Sequence, residues 1–542
     1  MKQKNRWKSI STLLRPYGGN ILLLNLCSGF QALSHVGLAV FTKTVVDAAL
    51  TKDGTLLYWG IGLAVLLVLM VGNYMLHAWK AGSTSDRCMA YLRKRLLTSA
   101  AYSKEARLRA YHSGELLSRG MEDVKSVCDG VIKVLPSMVG QLLQLIGSFA
   151  AVVLMCPAIT PVLILAGIVI VAISAGLRPV MRRRHREVRK TEDRVMADMQ
   201  EDLRQLELIQ SLQAQEQAIG RFENSIRKDL DTKKRRRFWS VGSGTFISTV
   251  SLCGTGLLLL WGAVKVAAGA LSYGSLSALL QLLALFRGPV LGLSGQWTQL
   301  SATEVAAERL LELLTPIPEQ ADVKIEPLAV QAVVFEHVTF RYPGDEAAVV
   351  EDFSASFPLD KWACLCGISG KGKSTLFKLM LGLYSPEKGR VFLQTDRGEI
   401  PCGENTRYLF AYVPQDYALF SGTIQENLLL VAPDADAKRC RNALEVARAD
   451  YVWELTHGEQ TQVRENNAGL SKGQLQRLAI ARAVLMERPI FLLDECTSAL
   501  DAGTENDVLR NLYAMGKQAI LVTHRPEAVQ QLEQVTFVNM DT

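Results

Sequence analysis

The sequence has no Cys-x-x-Cys pair and no cluster of cysteine and histidine with the spacing of metal ligands, although ten of its 542 residues are cysteine. The usual zinc-binding and dithiol redox motifs are therefore excluded. Scattered cysteines favour free, buried thiols in a reducing compartment. Cys364 and Cys366 lie in an apolar run typical of a buried strand, so we expect them to pack rather than to bind a ligand.

Basic residues are nearly absent from three short connections between long apolar stretches. These connections contain one Lys or Arg between them, Lys52, and they are residues 49–55, 157–158 and 269–274. Other basic residues concentrate in residues 81–129 and 178–237. The distribution of these basic residues follows the positive-inside pattern of a membrane protein. The net charge of +7 therefore does not indicate nucleic-acid binding, and we expect no nucleic-acid partner.

Six apolar stretches are long enough to cross a bilayer, which takes about 20 apolar residues in a helix. They lie near residues 20–48, 56–79, 131–156, 159–177, 239–268 and 275–300. The first stretch also resembles a signal peptide, but it is too long, and its removal would leave five spans. Six spans place both termini and the basic segments on the cytoplasmic side. We predict an all-α transmembrane domain over residues 19–315.

The long connections 80–130 and 178–238 are polar and lack Gly/Pro clusters. We predict that the helices continue through them as cytoplasmic hairpins. Residues 1–18 predict an amphipathic helix in the cytoplasmic membrane interface, with a disordered basic tail as the alternative. The apolar face of this helix carries Trp7, Ile10, Leu13 and Leu14.

The pattern changes after the last apolar stretch. Residues 316–330 are polar and contain three prolines, which predicts a linker. Residues 331–542 alternate short β-like runs with helical segments, which predicts an α/β domain. The chain is thus expected to be a multidomain membrane protein.

The segment GISGKGKST, residues 367–375, follows a strand-like run and matches the pattern G-x-x-x-x-G-K-[ST]. In such a loop, backbone N–H groups surround phosphate, the lysine reaches the β- and γ-oxygens and the hydroxyl ligates Mg²⁺. We therefore predict nucleotide and Mg²⁺ binding by an α/β P-loop NTPase cassette. The predicted contacts are Gly367, Ser369, Gly370, Gly372, Lys373, Ser374 and Thr375, with Ser374 on the metal.

Another buried-strand run ends at Asp494 and Glu495. We predict that Asp494 holds Mg²⁺ through water and that Glu495 polarises the attacking water as general base. A solvated loop is the alternative for adjacent carboxylates, and the apolar run before them argues against it. His524 follows a third strand-like run and is predicted to reach the γ-phosphate from the same sheet edge.

Together these motifs resemble those of the ATP-binding cassette transporters over nearly the whole chain. Tyr342 in FRYPG is similar to the aromatic residue that stacks on adenine. Gln415 in YVPQD is similar to the Q-loop glutamine, and Asp501 in SALD to the D-loop aspartate. The segment LSKGQ, residues 470–474, is similar to the signature LSGGQ, with Lys472 in the middle position.

This resemblance implies roles for the residues concerned. The cofactors are ATP and Mg²⁺, with Gln415, Ser374 and Asp494 near the metal. His524 corresponds to the switch histidine, and Glu495, His524 and Gln415 form the catalytic set. The nucleotide contacts add Tyr342, Ser471, Gly473, Gln474 and Asp501.

The membrane half resembles exporters that carry six spans ahead of the cassette, whereas an importer with a separate binding protein does not fit. Segments 111–127 and 201–222 resemble the two intracellular coupling segments. Short docking helices are expected within Glu115–Asp123 and Leu206–Leu212. The resemblance implies a dimer of half-transporters, in which each ATP lies between Lys373 of one chain and Ser471 and Gly473 of the other.

The sequence leaves partner and cargo open. A homodimer is favoured because Ser471, Gly473 and Gln474 are retained, and a heterodimer is the alternative because family heterodimers often carry an altered signature. We interpret Lys472 as tolerated or mildly assisting. An ATP-gated channel-like protein, or the regulatory half of a heterodimeric complex, is the second functional interpretation, against which Glu495 and His524 argue.

The cargo is expected to be hydrophobic or amphipathic: a lipid, a drug-like compound or a peptide. His35 and Arg287 lie within spans, where they either meet an anionic cargo group or pair with a neighbouring span. Lys43 and Asp47, near an outer span end, are expected to snorkel. We expect an integral, multi-pass protein of a bacterial inner membrane, in contact with membrane lipids, with both termini and the cassette in the cytoplasm.

Overall fold

The computed structural model describes residues 10, 12–51, 54–103, 113–157, 160–314, 329–368, 371–416, 419–463, 469–523, 525–532 and 534–540. The chain divides into two compact units. The first comprises Met1–Leu97 with Leu117–Thr315, and the second comprises Thr98–Leu116 with Pro316–Thr542.

Long helices dominate the N-terminal part of the chain. In chain order they are α1 (Gly18–Thr51), α2 (Leu56–Ala101), α3 (Ser113–Ser118), α4 (Val124–Asp129), α5 (Leu135–Met155), α6 (Thr160–Arg204), α7 (Leu206–Ser211), α8 (Gln215–Ala267) and α9 (Tyr273–Leu313). Two π-helical turns, Arg119–Asp123 and Gly130–Val134, lie on either side of α4. Each of the six predicted spans falls on one of the long helices α1, α2, α5, α6, α8 and α9.

Within the described residues, four helical segments are long and apolar enough to cross a membrane. They are Arg15–Thr51, Leu56–Ala101, Gly114–Met155 and Gln215–Ala267, and a shorter apolar segment, Tyr273–Phe286, begins α9. Helices α2 and α8 have 46 and 53 residues, far more than the roughly 20 that a bilayer requires. The helices therefore continue into the polar connections, as the lack of Gly/Pro clusters there predicts. A short helix, α7, occupies the predicted segment Leu206–Leu212.

The described part of segment 1–18 packs against protein. Ile10, Leu13 and Leu14 are 3%, 1% and 2% exposed, and they join an apolar cluster with residues of α2, α4 and α9. This differs from the predicted interfacial helix, whose apolar face would meet lipid. Burial in protein removes the same apolar surface from water, so the sequence pattern is equally compatible with both placements. Trp7 lies outside the described residues.

Asp47 stabilises the start of α9 rather than acting as a snorkelling group. Its Oδ2 accepts a 2.9 Å hydrogen bond from Ser272 Oγ, and its Oδ1 accepts one of 3.0 Å from the Gly274 backbone N–H. A carboxylate at this position satisfies unpaired N–H groups and complements the helix dipole.

The C-terminal part of the chain alternates strands and helices. The strands are β1 (Val330–Phe340), β2 (Val350–Pro358), β3 (Trp362–Cys366), β4 (Lys388–Thr395), β5 (Gly398–Pro401), β6 (Phe410–Val413), β7 (Gly422–Thr423), β8 (Gln462–Val463), β9 (Ile490–Asp494), β10 (Gln518–Val522) and β11 (Val535–Asn539). The helices are α10 (Lys373–Met380), α11 (Ile424–Leu429), α12 (Ala437–Val446), α13 (Lys472–Leu485), α14 (Ala502–Ala514) and α15 (Pro526–Gln530).

In its described part, the second unit contains a five-stranded parallel sheet, a four-stranded antiparallel sheet and a two-stranded antiparallel sheet of β7 and β8. The four-stranded sheet has the order β2-β1-β4-β5, and the parallel sheet has the order β11-β3-β10-β9-β6. Phe491 and Leu493 of β9 enter one apolar cluster with α13, whereas Ile490 and Leu492 enter the other with α10. A strand buried on both faces is typical of a parallel sheet covered by helices. The predicted α/β fold class is confirmed.

The register of the parallel sheet fixes where the functional loops meet. Val522 pairs with Leu365 and with Asp494, and Val413 pairs with Leu493. The carboxyl ends of β3, β6, β9 and β10 are therefore level. Loops that follow parallel strands meet at this edge, where α/β proteins bind ligands.

Candidate nucleotide-binding and catalytic site

The loop after β3 places a buried lysine at the start of a helix. Lys373 is the first residue of α10 and is 6% exposed. Its Nζ donates hydrogen bonds to the backbone carbonyls of Gly367 at 2.6 Å and Ile368 at 3.4 Å. A buried ammonium beside a helix N-terminus favours an anion such as phosphate. Ser369 and Gly370 lie outside the described residues.

Asp494 ends β9 as a buried carboxylate with unused acceptor capacity. It is 0% exposed, and Tyr412 Oη donates to its Oδ2 at 3.3 Å. Its Oδ1 is buried and has no hydrogen-bond partner among the described residues. Burial raises the pKa of Asp494, and hydrogen bonds from the Ser374 and Tyr412 hydroxyls partly offset that shift. A desolvated carboxylate beside a serine hydroxyl fits the oxygen ligands that Mg²⁺ prefers.

Glu495 adopts a strained backbone conformation immediately after Asp494. Its φ is +48°, a region that costs a non-glycine residue about 1–3 kcal/mol and that occurs at functional sites. Its backbone N–H donates to the carbonyl of Val522 at 3.0 Å. Gln415 Nε2, after β6, donates to Glu495 Oε2 at 2.8 Å. The fold thus brings Gln415 and Glu495 together from positions 80 residues apart.

The segment LSKGQ forms a capped helix start. Ser471 Oγ accepts a hydrogen bond from the backbone of Gln474 at 3.2 Å, and Gln474 Oε1 accepts one from the backbone of Ser471 at 2.8 Å. These two bonds form a capping box. A Cβ at Gly473 would lie 3.0 Å from the carbonyl oxygen of Ala499, so a small residue permits this close approach. Lys472, the first residue of α13, is exposed.

The remaining predicted contacts lie on two other elements. Asp501 caps α14 by accepting hydrogen bonds from Thr504 N at 2.9 Å and Thr504 Oγ1 at 2.8 Å, and these bonds lower the pKa of Asp501. Tyr342 Oη is hydrogen-bonded to Thr375 Oγ1 at 2.9 Å. This bond links the loop after β1 to α10. His524 lies outside the described residues.

Gln476 is a buried connector that the sequence interpretation missed. It is 0% exposed, and its amide donates to Ser498 Oγ at 3.0 Å and accepts from the backbone N–H of Ala499 at 2.9 Å. Its side chain thereby connects α13, the helix that begins in the LSKGQ segment, to the turn after Glu495. A polar residue among the apolar positions of α13 is the signal that marks it in the sequence.

Glu505 forms a second buried connection. It is 2% exposed and accepts hydrogen bonds from Thr497 Oγ1 at 2.7 Å and Arg525 Nη1 at 3.0 Å. Arg525 Nη1 also donates to the carbonyl of Leu500 at 3.3 Å. One arginine thus joins the loop after β10 to the segment before Asp501.

The two predicted intramembrane cargo residues lie on different helices. His35 is half-buried on α1. Arg287 belongs to α9, and its side chain lies outside the described residues.

Comparison with known families gives two matches along the chain. The family described as "ABC transporter transmembrane region" matches residues 19–290, and the family described as "ABC transporter" matches residues 350–498. The first match covers half of the chain, and the order of the two matches follows the order of the two predicted domains.

Curated relatives include transporters of several kinds. The ABC multidrug transporter mdr2 of Aspergillus fumigatus is 31% identical over 370 residues, which are 67% of this chain and 46% of that protein. The transport/processing ATP-binding protein ComA of Streptococcus pneumoniae is 30% identical over 68% of this chain and 52% of that protein. The chain thus spans about half the length of these two relatives. The ATP-dependent lipid A-core flippase of Haemophilus influenzae is 26% identical over 98% of this chain and 92% of that protein.

A solved structure shares the fold. The structure of a bacterial Atm1-family ABC exporter with ATP bound superimposes with a TM-score of 0.77 at 22% identity, covering 97% of this chain and 94% of that one. The chain is therefore an integral membrane protein with the fold of an exporter and an ATP-binding cassette. By its family matches, it belongs to the ABC transporters, with the transmembrane region and the cassette fused in one chain.

Proposed function

We propose that this chain is one half of an ATP-hydrolysing exporter that works as a dimer. The observation that carries the proposal is the arrangement at the edge of the parallel sheet. Glu495 is held in a strained conformation and bonded to Gln415, next to the buried Asp494. Lys373 begins the helix that follows the neighbouring strand. This arrangement supplies a phosphate-binding cation, a metal-binding carboxylate and a general base.

Each residue has a distinct role in the proposed reaction. Lys373 binds the β- and γ-phosphates, with Gly367, Ser369, Gly370, Gly372 and Thr375 around them and Tyr342 against the adenine. Ser374, Asp494 and Gln415 would hold Mg²⁺, which would supply positive charge to neutralise the phosphate oxygens. Glu495 accepts the proton of the attacking water, and His524 contacts the γ-phosphate.

The contact between Gln415 and Glu495 joins a residue of the proposed metal site to the proposed base. With its amide bonded to Glu495 Oε2, Gln415 occupies one lone-pair direction of the carboxylate. The amide oxygen of Gln415 would remain available to help hold Mg²⁺. One side chain would then contact both the base and the proposed metal site.

The second half of each site comes from a second chain in this proposal. Ser471, Gly473, Gln474 and Asp501 of one copy complete the site that Lys373 begins in the other, and Lys472 brings an additional cation. ATP binding closes the cassettes, the extended helices transmit the closure, and hydrolysis resets the dimer. A homodimer is the preferred form, with a heterodimer as the alternative.

The proposed cargo is hydrophobic or amphipathic, moved from the cytoplasm or inner leaflet. The relatives include a multidrug transporter and a lipid A-core flippase, which supports a cargo of either chemistry. The proposed location is a bacterial inner membrane with both termini and the cassette in the cytoplasm.

Replacement of the proposed base tests the hydrolytic step. We expect Glu495→Gln to lower steady-state ATP turnover by at least about 100-fold, the usual contribution of a general base, while ATP binding persists. Turnover is measured as phosphate release by the purified full-length protein, and binding with a fluorescent ATP analogue. Glu454→Gln, at an exposed position of the same unit, is the matched control. Near-normal turnover in Glu495→Gln would remove this residue from the role of base.

A further inference from the structure

Two basic runs lie at the same level on the hairpin of α6 and α8. Thr191 Oγ1 and Thr232 Oγ1 are 3.0 Å apart, and Lys233 Nζ pairs with Glu192 at 2.9 Å. This antiparallel register sets residues 183–190 beside residues 233–240. Residues 233–242 contain five basic residues and no acidic residue, and the apolar stretch of α8 follows directly.

A shallow, open cleft lies along one face of α8. It has a volume of about 340 Å³ and is lined by Lys234, Arg237, Phe238, Val241 and Gly242. Nearly all of its lining surface is apolar, so Lys234 and Arg237 line it mainly through their aliphatic stems. These positions recur every three to four residues, so they share one face of the helix. The face is basic at one end and apolar at the end nearer the membrane span. Phe238 is 76% exposed, and a Cβ built at Gly242 has no neighbour within 4 Å.

The cations of the cleft are available to a ligand. Arg237 makes no hydrogen bond or ion pair with any described residue. Lys234 pairs with Asp231 at 3.7 Å, and the two side chains are 73% and 61% exposed. An ion pair this exposed contributes little free energy, so it does not compete strongly with a phosphate group.

We propose that this cleft, formed by Lys234, Arg237, Phe238, Val241 and Gly242, binds an anionic phospholipid of the cytoplasmic leaflet. Lys234 and Arg237 contact the headgroup phosphate. Phe238 and Val241 contact the glycerol and the first acyl carbons, and Gly242 leaves room for the chain. The order of the residues along α8 matches the order of headgroup and chain in a lipid that lies beside the span.

The neighbouring cleft on α6 has a different composition. It is lined by Pro179, Arg183, Arg186, Glu187 and Lys190. Its walls include an acidic residue and lack a large apolar side chain, so they match a lipid less well. A phosphate compound without acyl chains would make no contact with the apolar half of the α8 cleft. A lipid would contact both halves, so a lipid is the favoured ligand.

The test counts phosphatidylglycerol molecules bound to the purified full-length protein in neutral detergent by native mass spectrometry. Each basic residue near a membrane surface contributes about 1 kcal/mol, or about five-fold in affinity. We therefore expect Lys234→Gln/Arg237→Gln to weaken lipid binding by about 25-fold. Arg227→Gln/Lys228→Gln removes the same two charges from the same helix, farther from the apolar stretch, and should change affinity by less than about two-fold. The proposed site would be wrong if both double variants lost the same affinity for lipid, or if Lys234→Gln/Arg237→Gln lost none.

Two further experiments distinguish binding of a lipid from binding of free phosphate. Phe238→Ser keeps every charge of the cleft and should still weaken phosphatidylglycerol binding several-fold. Glycerol 3-phosphate in large excess should leave the bound lipid in place, because it lacks acyl chains. If it displaces the lipid, or if Phe238→Ser binds normally, the cleft recognises phosphate alone and the lipid assignment is wrong. Phosphate release by each variant shows that the chain is folded.

Discussion

At the scale of single residues, Asp494 is a buried carboxylate whose charge opposes folding. The carboxylate is fully buried and one oxygen has no partner among the described residues. Burial disfavours the charged form and raises the pKa of Asp494. Its folded pKa therefore exceeds the unfolded value of about 3.9, and ionisation above that range opposes folding.

We expect Asp494→Asn to raise the unfolding temperature of the protein at pH 7.5 without nucleotide or Mg²⁺. The gain should be a few degrees, since 1 kcal/mol corresponds to about 2–4 °C in a domain of this size. The gain should shrink as the pH falls toward the unfolded pKa, where Asp494 is protonated in both states. Differential scanning fluorimetry at a series of pH values from 7.5 down to about 4, near the unfolded pKa, measures it.

The exposed Asp396→Asn is the control for this experiment and should have no such effect. With Mg²⁺ and ATP present, the stabilising effect of Asp494→Asn should diminish, because the variant binds the metal less well. A gain that stays constant down to about pH 4, near the unfolded pKa, would contradict burial of the charge as its cause.

The sequence identifies the residues that belong to contiguous motifs, because the chemistry of such motifs is local. Lys373, Asp494 and Glu495 each follow or end a strand-like run, and parallel strands bring their ends together. The roles of Gln476 and Glu505 could not be predicted in this way. Gln476 contacts Ser498, 22 residues away, and Glu505 contacts Arg525, 20 residues away. These contacts depend on how α13, α14 and the turns pack.

At the scale of elements, the approach of the Gly130–Val134 turn to α9 requires a glycine. A Cβ at Gly130 would lie 2.0 Å from Thr303 Oγ1 and 2.6 Å from Thr303 Cγ2. Thr303 is 0% exposed, and its hydroxyl donates to the carbonyls of Gln299 at 3.0 Å and Ser126 at 3.2 Å. The hydroxyl therefore has little freedom to move away.

We expect Gly130→Ala to destabilise the protein by about 1–3 kcal/mol, as overpacking does in a filled core. The unfolding temperature in detergent measures the loss. The double variant Gly130→Ala/Thr303→Ala removes the two closest atoms and should recover part of it. Gly120→Ala, whose new Cβ would lie 3.4 Å from Leu96 Cδ2, is the control. If Gly130→Ala has the same unfolding temperature as the parent protein, the turn and α9 can move apart at little cost, and the glycine is not required.

The elements themselves are largely predictable, whereas their local irregularities are not. Long apolar stretches predict helices because only a helix satisfies its own backbone in a bilayer. The π-helical turns beside α4 have no marker in the sequence. The burial of Leu13 and Leu14 against protein was not predicted either, because an apolar helical face has the same pattern whether lipid or protein covers it.

At the scale of the whole molecule, the proposed site is divided between two chains. Lys373 starts the helix that we propose to bind phosphate. Ser471 caps α13, and its hydrogen bonds with Gln474 form a capping box. If each ATP lies between Lys373 of one copy and Ser471 of the other, the two residues belong to different sites in the dimer. Mixed dimers can test this division directly.

We expect Lys373→Ala and Ser471→Arg homodimers to be inactive, because each change damages both sites. A mixed dimer with one chain of each kind has one site with both changes and one intact site. Because one of its two sites is intact, the mixed dimer should have up to about half of the activity of the parent dimer. Two affinity tags isolate the mixed dimer, and phosphate release measures its activity.

The control dimer pairs a parent chain with a chain that carries both Lys373→Ala and Ser471→Arg. In a shared-site dimer each of its two sites contains one damaged half, so it should be inactive although one chain is intact. If this dimer keeps half of the activity while the complementary pair has none, each site lies within one chain. If the parent chain alone is monomeric and inactive, the missing half belongs to a different chain, and the complex is a heterodimer.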